Sequence, residues 1–219
     1  MWKLKFEAKK HEDILFRWNI YFIVRLFIKI ASAIKNLREN MKIGLISDTH
    51  IPDRLSLLPE NVIKAFEGVD LILHAGDVTD YEVIEKLEKI APVLAVEGNM
   101  DRRFGRVDLP KSRIIKAENQ KIGILHGDRL LRGDMEQLAY KAMEMGVNIL
   151  ISGHTHIPHA EKIKDIILIN PGSPTVPRAS EKTVAILEIN SEKVEIEFVK
   201  VWKNSFKKTI KTSIFKKSE

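Results

Sequence analysis

Cysteine is absent from the 219-residue sequence. That excludes a disulfide framework and any thiolate metal site, so a bound metal must take oxygen and imidazole ligands. Glutamine occurs only at Gln120 and Gln137 while lysine and glutamate abound, a bias that points toward a thermophilic source. No Gly-x-Ser-x-Gly elbow and no Gly-x-x-x-x-Gly-Lys-Ser/Thr loop occurs, which removes the common serine-hydrolase and phosphate-cradle chemistries. Uninterrupted hydrophobic runs of spanning length are also missing. Arg25 and Lys29 break the apolar stretch of the first forty residues, which argues against a membrane span. The same charged interior argues against reading Ala31-Ser32-Ala33 as the cleavage site of a signal peptide.

What is present suffices for one ordinary domain: 44% of residues are hydrophobic, enough for a real core. The formal net charge of +6 is unevenly spread. Residues 1–40 net +5 and residues 200–219 net +6, so the intervening 41–199 net −5. A mildly acidic body gives little support to a nucleic-acid groove, whereas the basic ends suit an anionic surface.

From Lys42 onward, short β-rich apolar runs alternate with helix-like or polar segments. The runs predict strands at Lys42–Ile46, Leu71–His74, Val93–Val96, Arg113–Ala117, Ile122–Leu125, Asn148–Ile151, Ile166–Ile169, Val184–Ile189 and Val194–Val199. Helices are expected over Pro59–Glu67, Glu82–Ile90 and Met135–Met145. The alternation implies an α/β fold, with parallel pairing early and antiparallel pairing late. Residues 1–40 read as a basic amphipathic helical extension. Trp202, Phe206, Ile210 and Ile214, spaced by four among lysines, make 200–219 a second basic amphipathic segment. These terminal helices offer either packing partners, a route to a homo-oligomer, or attachment to an anionic membrane surface.

The residues that follow the apolar runs carry the chemistry. Ser47-Asp48-Thr49-His50, His74-Ala75-Gly76-Asp77, Gly98-Asn99-Met100-Asp101, His126-Gly127-Asp128 and Gly153-His154-Thr155-His156 each end a predicted strand with Asp, Asn or His beside a small residue. Ligands bind at the carboxyl ends of strands in open α/β sheets, so these five loops are expected on one rim. Asp48 with His50, and His154 with His156, would point the same way on an extended backbone. A single histidine of this kind is more often structural or solvated. Seven oxygen or imidazole donors (Asp48, His50, Asp77, Asn99, His126, His154, His156) exceed the needs of one ion and fit two that share a carboxylate.

This ordered set resembles the calcineurin-like metallophosphoesterases. Ile169-Asn170-Pro171-Gly172-Ser173 is similar to their small single-domain phosphodiesterase branch. The resemblance covers about Met41 to Val199, and implies a four-layer αββα sandwich of two mixed β-sheets flanked by helices. It places one divalent ion on Asp48, His50 and His156 and the other on Asn99, His126 and His154, with Asp77 bridging. Mn is the first choice of metal, with Ni, Fe, Co and Zn the alternatives. The implied function is a dinuclear-metal-dependent phosphoesterase, a phosphodiesterase before a phosphomonoesterase, in which a metal-bridging hydroxide attacks phosphorus in line. Asn99 and Asp101 are the implied catalytic groups. Met100 stands where many members of the wider family carry histidine to assist the leaving group, and Asp128 stands where histidine is common. Arg54 and Arg102 are the candidate grips on a small-molecule phosphate ester. His74 reads as a buried supporting residue, and His159 as exposed. The expected location is the cytoplasm, peripheral to a membrane if the basic ends engage one, in which case an alternative substrate is of phospholipid type. A rival reading, from a trafficking subunit that resembles this branch, is a weakly active or inactive scaffold for protein interaction, and it is disfavoured because every metal-ligand position holds a competent side chain.

Overall fold

The computed structural model describes residues 40–191, 193–202 and 205–216. The helical extension expected over the first forty residues therefore lies, apart from Asn40, outside the described residues. Eleven strands follow one another among those described: β1 (Met41–Ile46), β2 (Leu71–His74), β3 (Val93–Ala95), β4 (Ser112–Ala117), β5 (Gln120–Leu125), β6 (Ile149–Ile151), β7 (His159–Ile163), β8 (Ile166–Asn170), β9 (Thr183–Ile189), β10 (Lys193–Trp202) and β11 (Ser205–Lys216). The helices are α1 (Glu60–Ala65), α2 (Tyr81–Glu88), α3 (Asn99–Phe104) and α4 (Met135–Met145).

The strands form two mixed sheets, one in the order β11-β10-β9-β1-β2-β3 and the other β4-β5-β6-β8-β7. The early strands β1, β2 and β3 pair in parallel, while β9, β10 and β11 pair antiparallel at the far side. In the second sheet β5, β6 and β8 are parallel and β4 and β7 are antiparallel edges.

Runs that look uniformly apolar in sequence divide by parity between two destinations. Ile43, Leu45, Leu73, Ala185 and Leu187 of the first sheet meet Ile122, Ile124, Ile149, Ile151, Ile167 and Ile169 of the second in one buried cluster. Their neighbours Ile46, Ile72, Val184 and Ile186 turn outward with Val62, Phe66, Val83 and Leu87. Leu150, Ile166 and Leu168 likewise turn toward Leu138, Ala139 and Ala142 of α4. Both faces of the central strands β1, β2, β6, β8 and β9 are thus largely dry, and each fully buried aliphatic side chain contributes roughly 1.5–3 kcal/mol of transfer free energy. Local signals agree: Asp80 caps α2 by accepting from Glu82 N at 3.0 Å, and Asp134 caps α4 by accepting from Gln137 N at 2.9 Å. Gly146 ends α4 in the left-handed region.

Three elements differ from the sequence reading. The described part of 200–219 is not a terminal helix: β10 continues through Trp202, and Ser205–Lys216 forms β11, paired antiparallel with β10. A spacing of four is even, so it satisfies strand alternation as well as a helical face, and Thr209, Ile210, Thr212 and Ile214 favour the strand. β7 was hidden because His159–Ile163 is a polar edge, and α3 because Asn99–Phe104 is only six residues long. Among the described residues no helix is long and apolar enough to cross a membrane.

Candidate metal centre

The loops that leave β1, β2, β3, β5 and β6 converge, and main-chain hydrogen bonds lace them together. Asp48 N donates to Gly76 O at 3.0 Å, His50 N to Asp77 O at 3.1 Å, and Gly153 N to His126 O at 3.0 Å. The backbone does not stay extended through the Asp-x-His and His-x-His pairs, as the sequence reading assumed. Asp48, His50, Asp77, His154 and His156 all have positive φ, between 46° and 68°. Each costs an L-residue about 1–2 kcal/mol. The surrounding packing enforces a curled main chain that aims successive donors inward.

Asp48, His50 and His156 form one buried group, and Asp48, Asp77 and His126 another, with donor atoms in each within 4.8 Å of one another. The contacts are specific. His156 Nε2 lies 3.2 Å from Asp48 Oδ1 and 3.4 Å from His50 Nε2. Asp77 Oδ2 lies 3.6 Å from His50 Nε2 and 3.4 Å from His126 Nε2, which places one carboxylate oxygen between the two groups. Its other oxygen, Oδ1, accepts from Met100 N at 2.7 Å. Asn99 Oδ1 lies 3.2 Å from His126 Nε2, and the His154 and His126 rings are 5.3 Å apart. The Nδ1 of His126 donates to the Ala75 carbonyl at 2.8 Å, and that of His156 to the Val176 carbonyl. Both rings therefore turn Nε2 toward the carboxylates, the orientation a metal-binding imidazole needs. Imidazole and carboxylate donors at this spacing fit divalent metal ions.

The electrostatics point the same way. Burial pushes the Asp48 carboxyl up, but His156 and His126 outweigh it and hold it at about 2. For Asp77 burial again acts upward, and the His126 contact and the Met100 amide leave it below the usual carboxylate range. Burial alone would depress His126, yet Asp77 and Asp48 raise it to about 9. The attraction that holds this imidazolium is the attraction a divalent cation would feel. Burial lowers His50 and His154, favouring the neutral imidazoles that ligate metals.

The supporting residues explain why the loops hold. Ser173 Oγ donates to Asp48 O at 2.7 Å, and Thr175 Oγ1 to Thr49 O at 2.8 Å. Asn170 Nδ2 donates to Gly153 O at 2.7 Å while its Oδ1 accepts from Gly172 N at 2.9 Å. The Asn-Pro-Gly-Ser stretch is thus a brace under two donor loops, consistent with Ser173 as a turn builder.

Asp101, expected to be catalytic, is fully buried and is not among the cavity-lining residues. Its Oδ2 accepts from Asp77 N at 2.9 Å and Gly98 N at 2.7 Å, and its Oδ1 from Thr79 N at 2.7 Å. These contacts brace the Asp77 loop. Asp101→Asn turns an N–H pair against some of those donors and should cost roughly 1–3 kcal/mol of stability and about 10–100-fold in metal affinity. Thermal melting and metal titration check this; a fall in kcat with stability and metal affinity unchanged would restore a direct catalytic role.

A cavity of about 390 Å3 opens over the donors, lined also by Asp53, Arg54, Met100, Arg103, Phe104, Val176 and Arg178. Arg54, the candidate substrate grip, lines this cavity. Arg102 does not line it: its guanidinium binds Glu97 at 3.0 Å and, more closely, Asp128, so that pair also accounts for Asp128. Arg103 and Arg178 join the wall instead. Arg178 was illegible in sequence because it lies outside the donor loops, on the stretch that follows the Asn-Pro-Gly-Ser brace. His74 is fully buried with Nε2 3.1 Å from Thr49 Oγ1, and burial depresses it to about 3, as a supporting residue should behave. His159 is only partly exposed and pairs with Glu161 at 3.1 Å.

A two-sheet sandwich carrying these candidate metal donors matches a known family. The model of the calcineurin-like phosphoesterase superfamily domain matches residues 41–192, and the chain belongs to that superfamily. It is 49% identical over 160 residues to a probable metallophosphoesterase of Methanothermobacter thermautotrophicus, an alignment covering 73% of this chain and 92% of that protein. A predicted phosphoesterase structure from Streptococcus pneumoniae superposes with a TM-score of 0.62 at 27% identity, over 80% of this chain and 98% of that one. Wild-type Vps29 of Entamoeba histolytica complexed with Zn2+ superposes with a TM-score of 0.69 at 27% identity, over 79% and 99% of the respective chains.

Proposed function

We propose that the protein is a phosphodiesterase, with phosphomonoesters as poorer substrates, that uses two divalent transition-metal ions, Mn before Ni, Fe, Co or Zn. The observation that carries this reading is Asp77 Oδ2 lying 3.6 and 3.4 Å from the Nε2 atoms of His50 and His126. A carboxylate oxygen so placed can serve two ions at once. Asp48, His50 and His156 would hold one ion, and Asn99, His126 and His154 the other. When bound, such ions polarise a phosphoryl oxygen and make water nucleophilic at neutral pH. The chain's own part is to fix the donors, to orient the phosphate through Asn99, and to grip anionic oxygens with the arginines of the cavity wall.

Purified protein supplemented with Mn is expected to hydrolyse bis-p-nitrophenyl phosphate and to stop on chelation, followed at the absorbance of p-nitrophenolate. The similarity to Vps29 supports a second reading as a binding module. Inertness across all five metals would favour that reading.

A further inference from the structure

The cavity that would receive the phosphate ester contains few groups able to give up a proton. Among the described lining residues, His50, His154, His156, Asp77 and Asn99 are the proposed metal donors. Met100 holds the position beside Asn99 with a thioether, which has no proton to offer. The carboxylate of Asp53 accepts from Arg106 Nη1 at 3.1 Å, so it is committed as an acceptor. Among the described residues no lysine or tyrosine lines the cavity. What remains is three exposed guanidinium groups, on Arg54, Arg103 and Arg178, none paired with a carboxylate among the described residues. Arginine stabilises negative charge but does not act as an acid.

This wall has a consequence for the bond that is broken. An alkoxide is nearly as strong a base as hydroxide, whose conjugate acid has a pKa of about 15.7, and it needs a proton as it departs. A phosphate leaves as a stable anion, since its second ionisation lies at about 6, and it needs only cations to receive it. We infer that the scissile bond is a phosphoric anhydride, and that Arg54, Arg103 and Arg178 bind the second phosphoryl group as it leaves. The inference rests on the phosphodiesterase reading and deepens it, because an anhydride phosphorus that also bears an alkyl ester is a diester at the attacked atom. In the reaction the oxygen of one water bonds to that phosphorus and the P–O bond to the bridging oxygen breaks. The bond's electron pair leaves with the second phosphate, and the water's protons go to the products or to solvent.

The test compares three kinds of substrate on the Mn-supplemented full chain: bis-p-nitrophenyl phosphate, a series of aryl methyl phosphates, and P1,P2-dimethyl pyrophosphate. With no proton donor, the aryl series should fall at least about a hundredfold from p-nitrophenyl to phenyl, while the pyrophosphate is turned over. Arg103→Ala and Arg178→Ala should each lower the ratio of pyrophosphate to bis-p-nitrophenyl rates about tenfold or more; Arg102→Ala, outside the cavity, should leave the ratio alone. A flat aryl series, a pyrophosphate that is not cleaved, or an unmoved ratio in both arginine variants would overturn the inference while leaving the phosphodiesterase reading in place. Inertness toward every substrate would remove both.

Discussion

Asp77→Asn is expected to lower the hydrolysis of bis-p-nitrophenyl phosphate by about a thousandfold or more, equivalent to roughly 4 kcal/mol in activation free energy. The size follows from position. Asp77 supplies the carboxylate oxygen found near both His50 and His126, so removing its charge weakens both halves of the centre. The substitution is chosen because asparagine preserves shape and can still accept from Met100 N through the oxygen that now does so at 2.7 Å. Circular dichroism should therefore report an intact fold, and elemental analysis a loss of bound metal. Wild-type activity in this variant would mean that the observed position of Asp77 has no bearing on catalysis.

Gly98→Ala is expected to be the second most damaging single change, although it adds one methyl group away from any ligand atom's own residue. An ideal Cβ on Gly98 would stand 2.1 Å from Asp77 Oδ1 and 2.3 Å from Asp77 N. One of these neighbours is main chain, which cannot swing aside. The φ of −102° suits any L-residue, so the cost is steric rather than conformational. To make room, the loop must give up contacts such as Gly98 N to Asp101 and Met100 N to Asp77. We expect a loss of about 1–3 kcal/mol from overpacking and, because a misplacement of about 1 Å can cost about a hundredfold in rate, a comparable fall in activity. Thermal melting and the diester assay measure the two effects. Near-wild-type values in both would show that the loop has slack the geometry denies.

Much of the centre was legible in the sequence because its donors are chemically conspicuous. Aspartate, asparagine or histidine beside glycine or another small residue, five times over, each at the end of an apolar run, has few bland explanations. The apolar runs were legible too, since strands dry on both faces are hydrophobic throughout. What escaped reading depends on where the chain returns. The left-handed backbone of Asp48 and His50 is imposed by hydrogen bonds to residues 76 and 77 and by the brace from Ser173 and Thr175. Nothing in a three-residue motif announces it. Asp101 read as a catalytic group and Arg102 as a substrate grip, and only their partners reveal a buried brace and a surface ion pair. The four-residue spacing in 202–214 fits two periods at once, so the helix reading had no means of losing to the strand until pairing with β10 decided it.

The donor loops do not all spring from one sheet. Asp48, Asp77 and Asn99 follow β1, β2 and β3, whereas His126, His154 and His156 follow β5 and β6 of the opposite layer. A cation held by both sets would act as a rivet across the seam of the sandwich. Sliding one layer against the other would pull donors off the ion, so its capture would also lock the mutual register of the layers.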